Sequence, residues 1–200
     1  MVKQYPTTIE KEDYTFEEYL LMEEQAEYKS EYQDGKIVPI ESATNKHAKI
    51  TSNCHYTVQG FLRKRKDRCS VYDSSLKVFF EEFSHGVYPD VMVICGDVEL
   101  YNGKEDIVVN PLLVIEVLSP ATSSYDRGEK FMKYRSLPAF KEYMLISQDE
   151  PQIETWYKME ENIWRISHAS GLDSSIHLFS LDIDLPLTDI YYLVDFSEKI

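Results

Sequence analysis

Long apolar runs are missing from this 200-residue chain. No stretch approaches the roughly 20 consecutive apolar residues of a membrane-spanning helix, so such a helix is excluded. The opening Met1-Val-Lys-Gln-Tyr-Pro6 lacks the apolar core of a secretory signal, and a cytoplasmic location is expected. Glycine and proline are scarce, at seven and eight residues, which rules out a linker-dominated protein. Cysteine is scarcer still. Cys54, Cys69 and Cys95 stand far apart with no C-x-x-C, which argues against a zinc knuckle or a dithiol redox motif. An odd count in an apparently cytoplasmic chain predicts three reduced thiols, mostly in the core. Positive charge is also short: 21 Lys and Arg face 35 Asp and Glu, for a formal net charge of −14. That balance argues against broad, non-specific nucleic-acid binding, which basic surface drives. It leaves room for one groove served by a local basic strip and bound cations.

What is present suits a globular α/β protein. The chain is 43% hydrophobic and 28% charged, and its length fits one domain over residues 1–200, with 1–13 expected as a loosely ordered N-terminal segment. Thr15-Phe-Glu-Glu18 has the pattern of a capping box and predicts a helix to about Glu27. Asp34-Gly35 between β-prone segments predicts a hairpin. His47, Ile50, Cys54, Val58, Phe61 and Leu62 recur at helical spacing over 45–65. The basic run Arg63 to Lys66 suits a solvated helix C-terminus. Short strands are expected at 70–73, 76–80, 91–95 and 112–118, with a polar loop over 96–110. A helix is predicted from Ser123, capped with Asp126 at its third position, to about Ser136 before Pro138. A strand at 141–147, a hairpin over 153–166, an alternating segment at 181–185 and a short closing helix follow. There is no internal repeat.

The chemistry concentrates in a few charged residues. Asp90, after Pro89, opens the apolar run Val91 to Cys95. Glu116 lies inside a second run, Leu112 to Leu118. A carboxylate within a buried strand is costly unless compensated, and hard divalent cations, which take oxygen ligands, are one compensation. Neighbouring strands lie about 4.8 Å apart, so acids at matching heights can share one ion. Plainer readings compete. Asp90 also suits a turn after proline, and Glu116 a buried salt bridge to a lysine. Asp126, Lys130 and Tyr134, four apart, share one helix face. From there Lys130 can reach toward a metal-bound phosphate, but a surface Asp126–Lys130 pair explains the spacing equally simply. Arg127 and Lys133 are nearby substitutes. His47 fits either a satisfied core histidine or a group pointing into a site at its helix N-terminus. His55, His85, His168 and His177 show no metal-ligand spacing.

Taken together, Glu31-Tyr-Gln-Asp-Gly35, His47, Pro89-Asp-Val-Met-Val93, Ile115-Glu-Val-Leu-Ser-Pro-Ala-Thr122, Asp126-Arg-Gly-Glu-Lys130, Tyr134 and Glu142-Tyr-Met-Leu-Ile146 resemble the Uma-type restriction endonuclease family of the PD-(D/E)xK nuclease superfamily. The resemblance runs from about Tyr14 to Leu193. It implies a restriction-endonuclease-like fold, a mixed sheet flanked by helices. It also implies hydrolysis of DNA phosphodiesters with Mg²⁺ or Mn²⁺, and Asp90, Glu116 and the upstream acid Glu31 as metal ligands. One departure stands out: Leu118 occupies the position two residues after the glutamate where the superfamily places its lysine. The resemblance implies that Lys130, on the following helix, takes that role, with His47, Asp126 and Tyr134 in support.

Two further readings stay open at this point. The acidic balance and Leu118 suit a catalytically inactive nuclease-fold module that binds nucleic acid or a protein partner. An interaction subunit whose acids are purely structural is the third. The sequence leaves sequence preference, DNA versus RNA, the number of ions and the oligomeric state open, with a homodimer as one candidate.

Overall fold

A computed structural model describes residues 13–65 and 68–197. Helix α1 (Phe16–Glu23) begins at the expected capping box: the Thr15 hydroxyl accepts from the Glu18 N–H, and the Glu18 carboxylate accepts from the Thr15 N–H at 2.8 Å. It stops four residues short of expectation. Glu23, Glu24 and Glu27 crowd its C-terminal end with no basic residue in the last turn, and negative charge there opposes the helix dipole. Strands β1 (Ser30–Gln33) and β2 (Lys36–Pro39) form the predicted hairpin. Asp34 and Gly35 both have positive φ, 48° and 84°, as the tight turn that matches strand twist requires.

Helix α2 spans Asn45–Arg65, as its apolar spacing predicts, and buries Ile50, Cys54, Thr57, Val58 and Leu62. Its end is not simply solvated: Arg65 donates to the carbonyls of Leu181 and Asp182 at 2.6 and 2.9 Å. Lys66 lies outside the described residues, as does the expected loose N-terminal segment apart from Asp13. The strands β3 (Cys69–Asp73), β4 (Lys77–Phe80), β5 (His85–Val87) and β6 (Val91–Cys95) follow. The stretch expected to be a polar loop instead contains a short strand, β7 (Ile107–Val108), paired to β4. β8 (Leu113–Leu118) leads into a helix made of α3 (Ser123–Tyr125), a wide π-type turn over Asp126–Lys130, and α4 (Phe131–Tyr134). Ser123 is not its cap: Thr122 holds that place without a side-chain bond to the helix backbone, and Asp126 turns inward. Then come β9 (Glu142–Ser147), the hairpin β10 (Gln152–Glu160) and β11 (Ile163–Ser170), the small pair β12 (Ser175–Leu178) and β13 (Ile183–Pro186), and α5 (Leu187–Ile190).

These strands build the mixed α/β architecture of a restriction-endonuclease-like fold. A six-stranded sheet runs β11-β10-β9-β8-β6-β3, antiparallel throughout except for the parallel β8–β9 pair. β8 is buried along its whole length. Leu113, Ile115 and Val117 pack with α2, α5 and the small β pair, while Val114 and Leu118 face the core around Phe131, Tyr134 and Tyr143. Glu116 falls by alternation on the second face. A five-stranded sheet, β2-β1-β5-β4-β7, closes over that same side.

The expectation of three reduced thiols is corrected here. Cys69 and Cys95 lie directly opposite each other on antiparallel β3 and β6 and are joined as a disulfide; Cys54 is free and buried. The pairing joins residues 26 apart through strand register, which no local cysteine spacing reveals.

Gly35 carries the tightest local constraint. A Cβ at this residue would meet the Asp13 carboxylate oxygen at 3.0 Å and its Cβ at 3.3 Å. Gly35→Ala is therefore expected to lower stability by about 1–2 kcal/mol, the left-handed penalty, and more if Asp13 cannot yield. Urea unfolding measures it; an unchanged midpoint would show that the hairpin tolerates a side chain there.

Candidate functional site

Strand register brings the two acids together. Val91 pairs with Ile115 in the antiparallel β6–β8 ladder, so Asp90, one position earlier, comes opposite Glu116. The contacts confirm the alignment. The Asp90 N–H donates to Glu116 Oε2 at 3.3 Å, and the Val117 N–H donates to Asp90 Oδ2 at 2.7 Å. Asp90 is thus no free turn acid; its carboxylate is fastened to the next strand.

Each remaining candidate arrives from a different element. His47, in the first turn of α2, places Nε2 3.2 Å from Asp90 Oδ2, so it points into the site and not into the core. Burial works against a charge on His47, but the hydrogen bond and negative charge of Asp90 raise its pKa above the ordinary 6.5. Lys130 is 5% exposed, which excludes the surface pair weighed from sequence. Its Nζ lies 2.8 Å from Glu116 Oε1, 3.5 Å from Asp126 Oδ1 and 3.7 Å from Glu31 Oε1. Glu31 comes from β1, where its other oxygen accepts from Gln33 at 3.1 Å. The Tyr134 hydroxyl approaches Glu116 Oε1 at 3.4 Å. The sequence substitutes do not take part in this way: Arg127 pairs with Glu154, and Lys133 with Glu129.

The π-type turn explains how Lys130 reaches inward. A π turn widens the helix by a residue and marks functional sites more often than chance. Here it spans Asp126 to Lys130, and both of those side chains are buried. The Tyr143 hydroxyl, on β9, donates to the Asp126 carbonyl at 3.1 Å and anchors the turn.

The electrostatics follow from burial. Burial alone would lower the Lys130 pKa, but Glu116, Glu31 and Asp126 outweigh it and hold the ammonium charged, well above its usual range. Burial pushes the Glu116 carboxyl well above its ordinary value; Lys130 pulls it back, while Asp126 and Asp90 push it further up. One ammonium thus serves several acids that would otherwise repel one another.

Comparison with known proteins places the chain in a family. Residues 16–188 match the family described as Uma2, putative restriction endonuclease. The chain belongs to the Uma2 family. It is 32% identical over 169 residues to the uncharacterized protein sll1609 of Synechocystis sp. (strain ATCC 27184 / PCC 6803 / Kazusa), covering 84% of this chain and 94% of that protein. It is 31% identical over 180 residues to the uncharacterized protein slr1290 of the same organism, covering 88% and 90%. Among solved structures, a putative nuclease belonging to DUF820 from Anabaena variabilis ATCC 29413 superposes with a TM-score of 0.71 at 22% identity, over 89% of this chain and 97% of that one. This last likeness establishes the fold.

For the Uma2 chain, the fit of a divalent cation can be judged from its donors. Asp90 and Glu116 offer hard carboxylate oxygens side by side, which is the chemistry Mg²⁺ and Mn²⁺ prefer. Among the described residues no group of three His, Cys, Asp or Glu is placed to hold a metal ion; Glu116, Asp126 and Glu31 gather on the Lys130 ammonium instead. That is compatible with Mg²⁺, which is commonly held by one or two carboxylates and completes its shell with water and phosphate oxygens. Glu31 lies against Lys130 and Gln33. Sequence reasoning missed Gln33, Tyr143 and the pair His85–Tyr125. Gln33 was findable, since it shares the Glu31 face of β1 by alternation; the others meet only through tertiary packing.

Removing the ammonium should expose how much the acids depend on it. Lys130→Met is expected to destabilise the protein by about 3–5 kcal/mol at neutral pH. The sign with pH follows from Glu116, whose folded pKa lies above its unfolded one. The folded state then binds more protons than the unfolded state, so the variant's stability should fall as pH rises from about 4.5. Urea unfolding at pH 5 and pH 7.5 tests this; a larger deficit at pH 5 would contradict it.

Proposed function

We propose that this protein is a metal-dependent endonuclease that hydrolyses phosphodiester bonds of DNA. The observation that carries the reading is the pairing of Asp90 with Glu116 across β6 and β8, with the Lys130 ammonium 2.8 Å from Glu116. Family membership supports nuclease chemistry. Two acids gathered on adjacent central strands and a buried lysine are the parts a metal-assisted phosphoryl hydrolysis needs.

In this reading Asp90 and Glu116 hold Mg²⁺ or Mn²⁺. When bound, the ion supplies a Lewis acid and a water of lowered pKa. The chain's own residues do the rest. Val117 N–H and His47 fix the Asp90 carboxylate, leaving its other oxygen for the ion. Lys130, kept charged by Glu116, Asp126 and Glu31, steadies negative charge developing on the scissile phosphate and orients the attacking water. Glu31 balances Lys130 and would be the further carboxylate available to the ion. Tyr134 orients Glu116. The net charge of −14 favours a local contact over broad adhesion to DNA, and it is also what an inactive binding module would carry.

The reading is tested by cleavage and by metal-dependent melting of wild type and Asp90→Asn. Wild type should cut DNA with Mg²⁺ or Mn²⁺ and not with EDTA. Mn²⁺ at a hundredfold excess over its Kd should add about 2.7 kcal/mol, a rise of roughly 5–10 °C in Tm. Asp90→Asn should melt slightly higher without metal, lose most of that rise and lose cleavage. Equal Mn²⁺ shifts in both proteins would remove Asp90 from the ion site. A wild-type shift without cleavage of duplex or single-stranded DNA would favour the inactive module.

A further inference from the structure

Beside the acids lies a second pair of polar groups that the proposed chemistry does not use. His85 is on β5 and 1% exposed. It sits opposite Gln33 in the β1–β5 ladder, on the same face of the five-stranded sheet as Glu31. Its Nε2 is 2.8 Å from the hydroxyl of Tyr125, the last residue before the π-type turn. Its Nδ1 is buried and has no hydrogen-bond partner among the described residues. The Tyr125 ring is half-buried, and its hydroxyl lies within the fields of Glu31, Lys130 and Glu116.

Those facts fix the direction of the hydrogen bond. Burial and the nearby Lys133 push the His85 pKa down to about 3, with Glu129 opposing and Lys130 adding to the fall. The ring is therefore neutral and carries one proton. If that proton sat on Nδ1, a buried N–H would have no acceptor, which is the rarer and costlier orphan. The proton belongs on Nε2. His85 then donates to the Tyr125 oxygen, and the Tyr125 hydrogen is free to point elsewhere. Burial raises the Tyr125 pKa, so the hydroxyl stays protonated.

We propose that Tyr125 donates its hydroxyl hydrogen to a phosphate oxygen of the nucleic-acid strand, with His85 as the positioning residue that turns the hydroxyl toward the strand. The contact rests on the nuclease reading and deepens it. Tyr125 opens the turn that carries Asp126 and Lys130, so a phosphate held by it is held in register with the ammonium. A neutral donor also suits this place: it grips an anion without adding a cation that the four acids would capture. The hold is made in the ground state, away from the breaking bond, so it should appear in KM and in binding, with kcat preserved.

The test uses the whole protein, with fluorescein-labelled duplex and single-stranded oligonucleotides as probes. Cleavage with Mn²⁺ and anisotropy with EDTA are measured on wild type, Tyr125→Phe, His85→Leu, His85→Gln and Asp90→Asn. Tyr125→Phe should raise KM and Kd about ten- to a hundredfold, the worth of one hydrogen bond to a charged group, at unchanged kcat. His85→Leu should do the same. His85→Gln, whose amide N–H can replace Nε2–H, should recover most of the loss. Long-range ¹H–¹⁵N spectra should show His85 neutral with its proton on Nε2 from pH 5 to 8. A proton on Nδ1, a charged His85, or KM and Kd in Tyr125→Phe within twofold of wild type would overturn the contact while leaving Asp90-dependent cleavage in place. Variants that lose affinity only in proportion to a lowered Tm would also overturn it. A wild type that neither binds nor cuts would overturn the nuclease reading and this contact with it.

Discussion

The arrangement around the paired acids depends on one buried ion pair, Lys130 with Glu116. Glu116 occupies a strand position that alternation assigns to the core, between Ile115 and Val117 on a strand buried along its length. Without a cation the carboxylate would be expelled or protonated. The ammonium comes from a helix whose wide turn carries both Asp126 and Lys130 inward. The π-type turn, the Tyr143 bond to Asp126 and the Tyr134 approach to Glu116 all bring that helix down onto the acid. Asp90 is held in turn by the strand that Glu116 occupies. If the pair were broken, the groups left behind would be mutually repelling acids.

The two sheets divide the labour. The six-stranded sheet sets the height of Asp90 and Glu116 by backbone pairing, which side-chain changes elsewhere disturb little. The five-stranded sheet contributes Glu31 and His85 on its inner face, and α2 brings His47 onto Asp90. Both aliphatic and aromatic cores meet at β8. The site is thus rigid where the acids stand and depends on helix packing where the cation stands.

Much of this was readable from the chain. α2 falls where its long helical spacing places it, and β6 where the apolar run Val91–Cys95 stands. The acids were visible because a charged residue inside an apolar run has few explanations. What stayed hidden was non-local. β7 and β12 are too short to show a period, and β7 exists because β4 offers it an edge. The Cys69–Cys95 bond depends on which strands pair. The inward turn of Lys130 depends on a π-type turn whose residues, Asp126-Arg-Gly-Glu-Lys130, look like an ordinary helix surface. His85 and Tyr125 lie 40 residues apart and carry no motif between them.

The wide turn at Asp126–Lys130 also bears on how such chains diverge. An α-helix advances about 100° per residue, so the extra residue of a π turn sets the phase between Asp126 and everything after Lys130. Deleting a single residue here would let the helix relax to regular geometry with little loss of backbone bonding, yet would rotate either the ammonium or the Phe131–Tyr134 anchor away from its partner. A one-residue gap at this point in a relative would therefore act as a natural off-switch. It would separate members that keep a charged lysine over the acids from members that keep only the fold.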